Sequence, residues 1–128
     1  MSVDKNMNVL IVDDYKTMLR IIGNLLKQLG FSNVDEATDG SMALNMFKNK
    51  TYGLVISDWN MEPMSGLDLL KSVRALPVNG KVPFIMVTAE SKTENVIAAK
   101  QAGVSNYIVK PFNAETLKAK MASVLGEF

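Results

Sequence analysis

Residues 54–61 read LVISDWNM, an apolar run that ends at a serine and then at Asp58. A short run without polar alternation is typical of a strand that is buried on both faces of a parallel sheet. Open α/β sheets place their functional sites at the carboxyl ends of such strands. The run therefore predicts a buried strand with Asp58 at the functional edge of the sheet.

Four further runs of this kind occur along the chain, and longer segments of helical period separate them. The predicted strands cover residues 9–12, 34–37, 54–57, 84–87 and 107–109, of which 34–37 has the weakest pattern. The predicted helices cover residues 17–29, 41–48, 66–76, 93–102 and 114–125. This strict alternation predicts an α/β fold, a doubly wound parallel sheet with right-handed crossovers and helices on both faces.

Local signals mark the ends of several helices. The predicted apolar stripe of the first helix comprises Met18, Ile21, Ile22, Leu25, Leu26 and Leu29. Gly30 is expected to end that helix, Pro77 to stop the third, and Asn113 to cap the start of the last. Gly23 lies inside the first helix, where glycine costs ~1 kcal/mol relative to alanine. It marks either a close approach or a weak spot.

Composition narrows the class of protein. The chain has 128 residues with 48% apolar content, enough for one core and too few for two ordinary domains. Its 14 basic and 13 acidic residues nearly balance, which argues against nucleic-acid or membrane partners. Cysteine and histidine are absent, so disulfides, thiolate sites and imidazole ligands are excluded. We expect a cytoplasmic, monomeric protein with a single domain over residues 1–128.

Polar side chains follow four of the predicted strands. Asp13 and Asp14 follow the first, Asp58 the third, Thr88 the fourth and Lys110 the fifth. Taken singly, each is more typical of a helix cap, a strand end or a surface turn. Together they would line one crevice, where carboxylates suit a divalent cation such as Mg²⁺. An aspartate there can also act as a nucleophile that accepts a phosphoryl group.

Four motifs at these strand ends identify a family. They read VDDYKTM at residues 12–18, ISDWNM at 56–61, MVTAE at 86–90 and VKPF at 109–112. The chain resembles the receiver domain of bacterial two-component response regulators over residues 8–125, and within that family the chemotaxis regulators. The resemblance implies a flavodoxin-like (βα)5 fold with strand order 2-1-3-4-5 and no output domain. It also implies a signalling module that assists its own phosphorylation and dephosphorylation, rather than an enzyme.

The resemblance also implies roles for the residues of the crevice. Asp58 would be the phosphoacceptor. Mg²⁺ would be bound by Asp14, Asp58 and the backbone carbonyl of Asn60, with Asp13 acting through a water. Lys110 would pair with Asp58 and then with the phosphoryl oxygens. Its bond to the following proline would be the family's cis peptide.

Further roles concern the transmission of the signal. Thr88 would bind the phosphoryl group, and Tyr107 would be the aromatic switch that follows it inward. Asn60 and Glu90 occupy positions that tune hydrolysis of the acyl phosphate. The expected partner face comprises Tyr107, Lys120, Val96 and Lys92. Trp59 either packs beside the crevice or forms an interface.

One departure from the family pattern lies next to the site. Receivers usually read Met-Pro-x-Met after the acceptor strand, whereas this chain reads Met-Glu-Pro-Met at residues 61–64. The proline is shifted by one place, and Glu62 adds negative charge near the crevice. We expect this change to affect loop shape, dephosphorylation rate and kinase preference.

The resemblance implies a sensor histidine kinase as phosphodonor, the flagellar motor switch as the target and a phosphatase as a further candidate partner. Two alternatives remain open. The chain could be a phosphate sink that drains the kinase without binding a target. It could also be a Mg²⁺-dependent phosphohydrolase of the haloacid dehalogenase type. That class places a second aspartate two residues after the nucleophile, where this chain has Asn60, which argues against it.

Overall fold

The chain folds as five βα units in the computed structural model, which describes residues 5–62, 64–89, 93–110 and 112–126. The strands are β1 (Val9–Val12), β2 (Val34–Ala37), β3 (Leu54–Asp58), β4 (Phe84–Thr88) and β5 (Asn106–Val109). The helices are α1 (Lys16–Gln28), α2 (Gly40–Asn49), α3 (Gly66–Arg74), α4 (Thr93–Gln101) and α5 (Ala114–Leu125). All ten predicted elements are present, with ends that differ by at most two residues.

All neighbouring strands pair in parallel, in the order β2-β1-β3-β4-β5. This order confirms the flavodoxin-like fold. Burial on both faces holds for β1, β3 and β4, whose residues are all buried. The outer strands are less covered, and Glu36 in β2 and Val109 in β5 are exposed. An outer strand has a neighbour on one side only, so fewer side chains surround it.

Two apolar clusters cover the two faces of the sheet. One contains Leu69, Leu70 and Val73 of α3 with Phe47 of α2. The other contains side chains of α1 and α5 packed on the opposite face: Leu19, Ile22, Leu26, Leu117 and Met121. No helix within the described residues is long and apolar enough to cross a membrane.

The predicted stripe of α1 needs one correction. Ile21 is 45% exposed, whereas Leu19, which the prediction omitted, is 2% exposed. On a helix of 3.6 residues per turn, Leu19 lies on the same face as Ile22 and Leu26, and Ile21 points away from it. Gly30 ends α1 as predicted, with a positive φ of 98° that favours glycine.

The predicted N-cap of α5 is confirmed, because the Asn113 side chain accepts a hydrogen bond from the Thr116 amide at 2.8 Å. The third helix ends at Arg74, two residues earlier than predicted. The residue before a proline is disfavoured in helical conformation, so the helix ends before Leu76, which the prediction had included.

Candidate functional site

The parallel register brings the polar strand ends to one edge of the sheet. Val12 pairs with Ser57, Asp58 with Val87, and Thr88 with Val109. The residues that follow or close these strands therefore meet at their carboxyl ends, the edge at which open α/β sheets bind ligands.

Three carboxylates meet there, and their nearest oxygen atoms lie within 4.8 Å of one another: those of Asp13, Asp14 and Asp58. Asp13 and Asp58 are buried, whereas Asp14 is exposed. An Asp13 oxygen accepts a hydrogen bond from the Tyr15 amide at 2.9 Å, which fixes its orientation. The crevice thus holds two buried carboxylates with a third at its mouth.

The Lys110 ammonium group lies between the two buried carboxylates. It donates to Asp58 Oδ1 at 3.1 Å and to Asp13 Oδ2 at 3.3 Å. Lys110 arrives from β5 and the aspartates from β1 and β3, so three strands build this contact. Its side chain is half-buried, and one ammonium group offsets part of the charge of three carboxylates.

Burial governs the titration of the two buried carboxylates. It raises the pKa of Asp13, with the Tyr15 amide and Lys110 acting in the opposite direction. Burial also raises the pKa of Asp58, and the neighbouring Asp13 raises it further, although Lys110 lowers it. For Lys110, burial alone lowers the pKa, but the two carboxylates outweigh burial and leave the pKa raised. The site therefore carries excess negative charge that a further cation would neutralise.

The donor set fits Mg²⁺. Hard divalent cations take oxygen ligands and keep several waters, so a few carboxylates beside open space suffice. Asp14 lines a depression of about 290 Å³ together with Asn60, Met61 and Glu62. The predicted carbonyl ligand, Asn60, therefore lies beside the exposed carboxylate of the cluster.

Thr88 closes the crevice on the β4 side. It is fully buried at the end of its strand, and its carbonyl accepts a hydrogen bond from the Lys110 amide at 2.8 Å. The Trp59 amide donates to the Val87 carbonyl at 3.1 Å, which joins the segment after Asp58 to the same strand. Carboxylates, ammonium and hydroxyl thus occupy adjacent strand ends, as the sequence predicted.

A family model described as the response regulator receiver domain matches residues 9–122. The chain belongs to the response regulator receiver family. It is 52% identical over 122 residues to the chemotaxis protein CheY-3 of Vibrio cholerae, covering 95% of this chain and 94% of that protein. It is 50% identical over 118 residues to the chemotaxis protein CheY of Pseudomonas aeruginosa, covering 92% and 95% respectively.

Solved structures agree with this assignment. Vibrio cholerae CheY4 superposes with a TM-score of 0.88 at 33% identity, covering 94% of this chain and 99% of that one. A complex from Borrelia burgdorferi that contains CheX, CheY, BeF3 and Mg²⁺ gives a TM-score of 0.86 at 29% identity, covering 92% and 88% respectively. The receiver is thus a signalling module closely related to the CheY chemotaxis regulators.

Two aromatic rings lie beside the crevice of this receiver. Trp59 and Tyr107 meet edge to face, with ring centroids 6.4 Å apart and planes at 67°. Both are half-buried against the apolar cluster that contains α2 and α3. Trp59 therefore packs against Tyr107 beside the site, and because it is only half-buried it also keeps surface that a partner could contact.

Of the predicted partner face, the structure describes Val96, Tyr107 and Lys120, and it places them on three different elements. Val96 and Tyr107 line one cavity of about 100 Å³ between α4 and β5. Lys120 lies on α5, where its carbonyl accepts a hydrogen bond from Asn106 at 3.5 Å, so it adjoins β5. Several predictions fall outside the described residues: those for Lys92 and Glu90, the cis peptide at Pro111 and the shifted Pro63.

Sequence reasoning missed the part that Gly66 plays in shaping the site. A Cβ atom at this position would overlap the backbone oxygen of Asp58 and lie 2.8 Å from Met86 Sδ. The Gly66 amide also donates to the Trp59 carbonyl at 2.9 Å. Glycine here lets the start of α3 press against the loop after the predicted acceptor. Its only sequence signal is its place after Ser65, which caps the helix through the Asp68 amide.

Proposed function

We propose that this receiver accepts a phosphoryl group on Asp58 from a sensor histidine kinase and signals through phosphorylation-dependent protein binding. The observation that carries the proposal is the Asp58 carboxylate itself, which is buried, 3.1 Å from the Lys110 ammonium and clustered with two further carboxylates. This arrangement provides a nucleophile, a fixed positive charge and oxygen ligands for a cation.

In the proposed transfer, an Asp58 oxygen attacks the phosphorus atom of the kinase phosphohistidine. The phosphorus–nitrogen bond breaks, the imidazole leaves with the electron pair, and an acyl phosphate forms. Lys110 then exchanges its contact with the carboxylate for one with a phosphoryl oxygen, and the Thr88 hydroxyl donates to another. Positioning and neutralisation of charge are the main requirements of such a transfer, which needs no histidine base in the receiver.

Asp14, Asp58 and the Asn60 carbonyl would hold Mg²⁺, and Asp13 would act through a water. When bound, Mg²⁺ supplies positive charge that offsets the carboxylates and the phosphoryl oxygens. Asn60 and Glu90 would then set the rate at which water hydrolyses the acyl phosphate.

Labelling by acetyl phosphate tests the acceptor. Asp58→Asn should abolish incorporation of phosphate in the presence of Mg²⁺, because it removes the nucleophile and keeps the shape. Asp68→Asn is the matched control, since Asp68 is exposed on α3 and should leave labelling unchanged. Normal labelling of the Asp58 variant would place the acceptor elsewhere.

We further propose that the receiver acts in chemotaxis, with the flagellar motor switch as its target. Identity of 50–52% to CheY-type chemotaxis proteins supports this role. The test is the affinity for a flagellar motor switch protein, measured with and without phosphorylation. Tighter binding of the phosphorylated form is expected, whereas labelling without any change in affinity would favour a phosphate sink.

A further inference from the structure

A second concave surface lies at the edge of the sheet opposite to the acidic crevice. We name it the basal groove, and it consists of two adjoining depressions of about 370 and about 430 Å³. It is lined by residues 47–51 and 76–83 together with Arg74. These segments lead into β3 and β4, whose far ends carry Asp58 and Thr88. Because five-residue strands span about 15 Å, the groove is separate from the crevice.

Hydrogen bonds hold one wall of the basal groove in place. Arg74 donates to the carbonyls of Gly80 at 2.8 Å and of Val82 at 2.7 Å. Asn79 adopts a left-handed conformation with φ 62°, and its side-chain amide donates to the Tyr52 carbonyl at 3.0 Å. These contacts tie the segment after α3 to the body of the domain. A ligand would therefore meet a preformed surface, which lowers the ordering cost of binding.

The basal groove exposes apolar surface. Val78 is 77% exposed, the highest value among the large apolar side chains that the structure describes. Leu76 and Pro77 line both depressions beside it. Single exposed apolar residues are ordinary, but this one lies in a concave surface beside Leu76 and Pro77, where a partner side chain could cover it.

The rim of the groove is basic. Lys48 and Lys50 line one depression and Lys81 lines the other, and no acidic side chain lines either part among the described residues. Lys50 already pairs with Asp35 at 2.8 Å. Within the described ranges, Lys48 and Lys81 form no salt bridge, so their charges are available to a ligand.

We propose that the basal groove docks an acidic segment of a partner protein, which lays an apolar side chain against Val78 and Pro77. Its carboxylates would contact Lys48 at one end of the groove and Lys81 at the other. Lysines in both depressions with apolar residues between them fit an extended peptide better than a single small anion. Peptide recognition of this kind takes specificity from pockets and charges along the segment.

Selection from a displayed library of random short peptides tests the proposal with the whole chain. Peptides are selected on the wild-type protein, and the affinity of each selected peptide is then measured for wild type and for the Lys48→Glu/Lys81→Glu double variant. Lys16→Glu/Lys27→Glu is the matched control, because it makes the same change of charge at exposed positions of α1. A far-UV spectrum and a thermal melt confirm that each variant is folded.

The expected peptides contain carboxylates around an apolar residue and bind wild type and control alike. The double variant should bind them about tenfold more weakly. Val78→Ser alone should also weaken binding, and the backbone amide resonances of residues 47–51, 76 and 78–82 should shift. The proposal is overturned if no such peptides survive the selection, if replacing their carboxylates with amides changes nothing, or if the shifts map to another face. Binding of inorganic phosphate or a nucleotide at the groove without any peptide would also overturn it.

Discussion

Alanine replacements at two helical glycines, Gly66 and Gly23, should change the stability of this receiver in opposite directions. A Cβ atom at Gly66 would overlap the Asp58 backbone oxygen and lie 3.0 Å from the Asp58 carbonyl carbon. Backbone atoms cannot rotate away, so either α3 or the loop after Asp58 must move. At Gly23, the nearest atoms to such a Cβ lie at 3.9 Å, which is ordinary contact.

The magnitudes follow from these contacts. Forcing a methyl group into a tightly packed site costs about 2–3 kcal/mol. Inside α1, alanine at position 23 instead restricts the unfolded chain and should add about 0.5–1 kcal/mol to the free energy of unfolding. An unfolding entropy of about 2.1 cal/mol/K per residue gives roughly 0.27 kcal/mol/K for 128 residues. Gly66→Ala should therefore lower Tm by roughly 7–11 °C and Gly23→Ala should raise it by roughly 2–4 °C.

Thermal and urea unfolding in EDTA measure both effects without contributions from bound metal. Acetyl phosphate labelling supplies a second readout, since a small displacement of Asp58 should slow phosphorylation of the Gly66 variant by more than about tenfold. Gly23→Ala should label at the wild-type rate. Wild-type stability of Gly66→Ala, or a loss of similar size at both glycines, would refute the packing argument.

Three further predictions concern the crevice. Asp14→Ala should raise the Mg²⁺ dissociation constant more than Asp13→Ala does, because a direct ligand contributes more than one that acts through a water. Titrations that follow tryptophan fluorescence measure both constants, and equal values would contradict the assigned ligands. Burial raises the pKa of Asp58. Between its ordinary pKa and the raised one, the folded state keeps a proton that the unfolded chain releases, so the free energy of unfolding falls as the pH rises through that range. Without metal, the Asp58→Asn variant should therefore unfold at a higher urea concentration than wild type near neutral pH. The difference between the two urea midpoints should shrink as the pH falls toward 3.8, the ordinary pKa of an aspartate. A difference that stays constant with pH would contradict the prediction. Thr88→Ala and Tyr107→Ala should each remove most of the phosphorylation-dependent gain in target affinity, of about 1–3 kcal/mol, while labelling persists, and the double variant should lose no more than the worse single one. Additive losses would assign the switch to other residues.

The local sequence was sufficient to predict the order of the strands and helices and the residues that line the crevice. Unbroken apolar runs mark strands buried between two layers of helices, and a parallel sheet brings their carboxyl ends to one edge. Asp13, Asp14, Asp58 and Lys110 could thus be grouped without coordinates. The N-cap at Asn113 could also be predicted, because capping depends on neighbours within three residues.

Contacts between distant segments could not be predicted in this way. The periodicity of apolar residues locates a helix face only approximately, so it predicted Ile21 rather than Leu19 for the core. The close approach of Gly66 to Asp58 depends on the angle at which α3 meets the sheet, and nothing local to Gly66 encodes that angle. The basal groove likewise joins Lys48 and Lys81 from segments that are far apart in the chain. Such features arise from packing geometry, which depends on all the surrounding side chains together.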